Sequence, residues 1–96
     1  MGKAIALLEV QSLVAAIAGL DAMLKDAEVR LIHTERHLGG RMVTMVIDGT
    51  VSAVTDAVLA GRAAAEKVGK VKVCEVIPNP HPEIKKFLYT DQKETE

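Results

Sequence analysis

The sequence predicts an α+β domain of the ferredoxin-like type, βαββαβ, with a four-stranded antiparallel sheet, two main helices and a short C-terminal helix. Three observations predict it. Four apolar runs of strand length alternate with two longer stretches of helical period. The second and third runs are joined only by His37-Leu38-Gly39-Gly40-Arg41, so they must turn back on each other. Two helices laid on one face of such a sheet complete the arrangement.

The elements follow in order. Lys3 to Val10 is an apolar run that ends in polar Glu9 and Gln11, a short buried strand. Ser12 can cap the helix behind it through its side-chain oxygen. In that helix Leu13, Ile17, Leu20 and Leu24 recur every three or four positions as one stripe, and Asp21 and Lys25 form an i,i+4 pair. Its end is expected near Asp26 or Ala27. Glu28 to Arg36 is the second strand. Met42 to Ile47 is the third, closed by the turn pair Asp48-Gly49. Thr50 caps a second helix over Val51 to Val68, rich in alanine, with Gly69 as a left-handed stop. Val71 to Ile77 is the fourth strand. Pro78-Asn79-Pro80-His81-Pro82 cannot continue a ladder and acts as a rigid connector. Pro82 opens a short helix through Leu88, and Tyr89 to Glu96 is a polar tail.

Ninety-six residues make one domain with a single core. Apolar residues are 49% of the chain, almost all of them Ala, Val, Leu and Ile, with no Trp and one Phe and one Tyr. Such small side chains leave little apolar volume per residue, so a neighbouring subunit is expected to complete the burial. The net charge of −1 provides no field to attract nucleic acid or an anionic membrane. The single Cys74 excludes an intrachain disulfide and fits a reducing, cytosolic setting. The apolar run Ala4 to Val10 is too short for a membrane span or a signal core, and Ala6 breaks the Met1-Gly2 myristoylation pattern.

No catalytic constellation is legible. His33 and His37 lie four apart in a strand, about 13 Å from each other and too far to share a metal. Cys74 reads as a buried thiol within a strand and no serine has a histidine and acid in context, so no catalytic residue, metal or cofactor is expected. The glycine pair lacks the spacing of a phosphate loop and leads into a strand. RNA binding on this fold needs aromatic rings on the central strands, and Arg41-Met42-Val43-Thr44-Met45-Val46-Ile47 has none. Glu9, Asp21, Asp26, Asp48, Asp56 and Glu66 are spread singly and read mostly as solvated surface. The residues alone therefore describe a small ferredoxin-like oligomeric module that is not an enzyme.

Several segments, taken in order, resemble the single-domain, hexamer-forming shell proteins of bacterial microcompartments, the BMC-domain family of carboxysome and metabolosome shells. Ala4-Ile5-Ala6-Leu7-Leu8-Glu9 is similar to the family's opening strand. Asp21-Ala22-Met23-Leu24-Lys25 resembles its D-A-M-x-K segment. His37-Leu38-Gly39-Gly40 corresponds to its K/Q-I-G-[SG] loop, followed by Val43-Thr44. Ala57 to Val68 resembles its alanine-rich stretch, and Val76-Ile77-Pro78-Asn79-Pro80-His81 its V-I-P-R-P-H. The resemblance runs without gaps over residues 4 to 88, so residues 1–88 are expected to form the shell domain and 89–96 the tail.

The resemblance implies cyclic hexamers that tile edge to edge into sheets, with other shell proteins and encapsulated enzymes as partners, in the shell of a cytoplasmic microcompartment. It places His37, Leu38, Gly39, Gly40 and Arg41 at a central pore for small metabolites. It places Lys25, Asn79 and His81 at the hexamer edge. From charge and composition, neither nucleic acid nor membrane is expected as a partner. The chain departs from the family where Arg41 replaces a third glycine, where Asn79 replaces an arginine, and where Ile47-Asp48-Gly49-Thr50-Val51 replaces V-R-G-D-V. The alternative is a small-molecule-sensing regulatory domain of the same fold, dimerising through its sheet. An oligomeric enzyme would instead need an interface site around His33, His37 and Cys74.

Overall fold

The computed structural model describes residues 4–84 together with Lys86 and Leu88. The elements are β1 (Ala4–Gln11), α1 (Leu13–Asp26), β2 (Arg30–His37), a 3-10 turn at Leu38–Gly40, β3 (Met42–Gly49), α2 (Val51–Glu66) and β4 (Val71–Ile77). The residues described beyond Pro82 are helical. The strands lie in the order β2-β3-β1-β4, each antiparallel to its neighbours. This is the expected ferredoxin-like sheet with both helices on one face. Lys3, expected to open β1, and the polar tail 89–96 lie outside the described residues.

Alternation along β1 sends Ala4, Ala6, Leu8 and Val10 toward the helices, where they meet Val43, Met45 and Ile47 of β3. Ile5 and Val46 point to the opposite face, where Ile32 and Leu88 join them in a second buried cluster. The sheet thus carries α1 and α2 on one face, while on the other Leu88 closes a smaller buried cluster.

The helices meet through very small residues. An added Cβ at Gly19 would lie 3.2 Å from the Gly61 carbonyl, and one at Gly61 would lie 2.5 Å from Met23 Cγ. This contact decides which way α1 faces. Its buried side is Ala15, Ala16, Gly19 and Met23. The leucine and isoleucine stripe read from the sequence is largely turned away from that contact: Leu13 is 41% exposed, Ile17 60% and Leu24 47%, with Leu20 half-buried. A close helix pair excludes large side chains from its seam, and they are displaced to the rim or to solvent.

Three other expectations are corrected. Asp48-Gly49 is not a turn but the end of β3, paired with Ile5 and Ala4 of β1. Gly49 sits close to the chain entering β2: a Cβ there would lie 3.2 Å from the Glu28 carbonyl. Asp48 is not solvated surface either. It is 1% exposed and receives both Nε (3.2 Å) and Nη2 (3.0 Å) of Arg30, a bidentate pair across β2 and β3. Gly69 does not have a left-handed φ; a Cβ there would lie 2.7 Å from the Gln11 carbonyl and 2.8 Å from Ala15 Cβ. Helix α2 stops at Glu66, and the Gly69 amide donates to the Ala65 carbonyl as the chain crosses the start of α1.

Candidate functional site

The five residues expected at a pore occupy one hairpin. His37 is the last residue of β2 and pairs with Met42, the first of β3. Between them Leu38, Gly39 and Gly40 have φ of 55°, 67° and 89°, three successive left-handed residues. Glycine adopts this at no steric cost, whereas in leucine it costs about 1 kcal/mol. Leu38 is also 68% exposed, so no core contact offsets that cost. Flanking residues aside, no described atom lies within 4 Å of a Cβ built at Gly39 or Gly40, so both positions face open space.

Arg41 holds this loop. Its backbone N–H donates to the Leu38 carbonyl at 3.3 Å, and its Nε donates to the same oxygen at 3.2 Å. Its own carbonyl accepts from the Ser12 N–H at 2.8 Å. Ser12 lies at φ 85° and ψ 145°, close to a region that is essentially reserved for glycine, at a cost of about 2 kcal/mol. Its side chain still caps α1, accepting from the Ala15 N–H at 3.1 Å. The sequence marked Ser12 as a cap, which it is. It carried no sign of the strain, because serine is an ordinary residue at such a position.

Replacing Ser12 with glycine removes that strain but loses the Oγ cap and loosens the unfolded chain. The net expectation is a gain of about 1 kcal/mol, read as a higher urea midpoint with unchanged slope.

The residues expected at an edge are separate from the loop. Lys25, in the last turn of α1, pairs with Asp21 at 3.0 Å, with both side chains well exposed. Such a pair contributes little and leaves the ammonium available. Asn79 is exposed beside buried Pro80. His81 is exposed as well, and its Nδ1 accepts from the Glu83 N–H at 3.1 Å, so it caps the C-terminal helical segment. No hydrogen bond or ion pair among the described residues joins this set to the loop.

The remaining candidates have ordinary surroundings. His33 is 6% exposed with Nε2 3.4 Å from Glu35 Oε1. Cys74, expected to be buried, is half-buried; burial pushes its thiol up and the Arg62 guanidinium only partly opposes this. Among the described residues no three of His, Cys, Asp or Glu come together as metal ligands. No described helix is long and apolar enough to cross a membrane. Two motif residues are brought into contact by the β1–β3 register: Thr44 Oγ1 donates to Glu9 Oε2 at 2.8 Å.

Residues 4–80, spanning the whole sheet, both helices and the loop, match the BMC domain family. The chain belongs to the BMC domain family. Among relatives of this BMC domain, the bacterial microcompartment shell protein PduA of Citrobacter freundii is 44% identical over 86 residues, covering 90% of this chain and 91% of that protein. The carboxysome shell protein CsoS1A of Hydrogenovibrio crunogenus is 43% identical over 93 residues, covering 96% of each. A crystal structure of a microcompartments protein from Desulfitobacterium hafniense superposes with a TM-score of 0.80 at 29% identity. It covers 90% of this chain, which spans 48% of that longer one.

Proposed function

We propose that this BMC-domain chain is a structural shell protein of a bacterial microcompartment that assembles as cyclic hexamers tiled edge to edge. The observation that carries the assembly is the outward face of α1. Leu13, Val14, Ile17 and Leu24 are each at least 41% exposed, beside a shallow groove lined by Leu20, Arg36, Val43 and Met45. A contiguous apolar strip of this kind marks a surface covered by a partner. Family membership and the shell-protein relatives support reading that partner as further copies of this chain and other shell proteins.

In this reading the six loops meet at the symmetry axis. Leu38, Gly39 and Gly40 form the rim of a narrow pore, with His37 and Arg41 behind them. Space around the glycines within the subunit leaves room for neighbouring backbones there. Six guanidinium groups near the rim make the mouth electropositive and favour anionic metabolites. Lys25 lies at the outer edge and packs across to the next hexamer, with Asn79 and His81 alongside. The shell role requires no catalytic group and no cofactor.

Two measurements test the assembly. Light scattering should return six copies per particle; a dimer would support the sensing-domain alternative. That alternative needs a free sheet face, and here Leu88 is packed against Ile5, Ile32 and Val46 on that face. Lys25→Ala should leave hexamers intact and abolish two-dimensional arrays in electron micrographs. Arrays of wild-type extent in that variant would remove Lys25 from the edge.

A further inference from the structure

Among the described residues only two non-glycine residues, Ser12 and Leu38, have left-handed φ, and both are hydrogen-bonded to Arg41. Strained residues far apart in sequence persist only where surrounding contacts over-determine them. Here the same residue makes contacts to both. We propose that Arg41 is the positioning residue of the β2–β3 loop, a brace that fixes the left-handed turn and ties it to the start of α1. Its bearing on permeation rests on reading the loop as a pore rim.

The geometry explains why arginine suits the task. The planar Nε–H aims at the Leu38 carbonyl that the Arg41 backbone N–H also approaches, so one oxygen is held from two directions. The guanidinium fork is pre-organised for such a contact, whereas a lysine ammonium is a hydrated point charge on a flexible stem. On the other side, the Arg41 carbonyl accepts from Ser12, next to the outward residues Leu13 and Val14 of α1. The helix face read as the subunit contact and the loop read as the rim are therefore one hydrogen bond apart. Arg41 thus supplies both charge and shape, and the two can be separated by substitution.

The test compares wild type with Arg41→Lys, which keeps the charge, and Arg41→Gly, which loses charge and fork. Amide hydrogen exchange is followed in the full chain, and chloride-to-potassium permeability is measured on hexamers reconstituted in planar bilayers. Arg41→Lys should speed exchange of the residue 41 and Ser12 amides about tenfold, with mid-helix amides of α1 and α2 unchanged. It should also shift the permeability ratio although the charge is kept. Wild-type protection at both amides in both variants would overturn the brace. A permeability shift in Arg41→Gly alone, with Arg41→Lys exchanging at the wild-type rate, would mean that charge, not loop shape, sets selectivity, and would overturn the positioning role. Faster exchange in hexamers whose permeability stays unchanged in both variants would leave the brace standing and remove the pore reading.

Discussion

Gly61→Val should cost about 3 kcal/mol of stability, seen as a lower urea midpoint at unchanged slope. A Cβ at this position would lie 2.5 Å from Met23 Cγ, 3.0 Å from its sulfur and 3.1 Å from the Gly19 carbonyl. Met23 is fully buried and cannot swing away without displacing the core, and the carbonyl belongs to the α1 backbone. Pairing the change with Met23→Ala should recover part of the loss, as a favourable coupling of about 1 kcal/mol in a double-mutant cycle. Complete recovery would mean that only the methionine side chain enforces glycine here. Full additivity would mean that the two helices do not meet as described.

Gly69→Ala should cost a similar amount, about 2–3 kcal/mol, by a different route. The atoms that a Cβ would strike are the Gln11 carbonyl at 2.7 Å and Ala15 Cβ at 2.8 Å, neither of which has a rotamer to change. Asparagine gives the discriminating result. At a left-handed helix stop, asparagine is the best substitute for glycine. At a crossing of backbones it is at least as harmful as alanine. Gly69→Asn is therefore expected to unfold at a urea midpoint no higher than that of Gly69→Ala, and near-wild-type stability for it would restore the helix-stop explanation.

These glycines show where a linear reading stops. The sequence marked Gly69 correctly as the end of a segment, because glycine after a helical run is a local signal. The reason glycine is required there lies in Gln11 and Ala15, far away in the chain, and no local pattern reports it. Asp48 is a similar case: beside Gly49 it reads as a turn, and only the β2–β3 register, which sets Arg30 opposite it, makes it the buried half of a bidentate pair. Strand existence was more legible. The β4 bounds agree residue for residue, and the Ser12 and Thr50 caps both accept hydrogen bonds from the helices they open.

The loop was legible in part. Its adjacent glycines between two strand patterns located the hairpin, and the ordered set of motifs around it pointed to the BMC domain family. Nothing in His37-Leu38-Gly39-Gly40-Arg41 as a string indicates that leucine would share the left-handed conformation of the glycines. Nor does it indicate that Arg41 would hold Leu38 on one side and Ser12 on the other.

By itself the sequence determined the element order, the family and the location of the loop, because period, caps, glycine pairs and motif order are local properties of the chain. The tertiary structure alone decided which face of α1 is left exposed. That choice follows from Gly19 and Gly61 drawing the helices together until only Ala15, Ala16 and Met23 fit alongside. It also decided the joining of Ser12, Leu38 and Arg41, since only folding brings the start of α1 to the end of the hairpin. Contacts between distant residues arise from packing, and a periodic pattern cannot report which of two apolar faces packing will select.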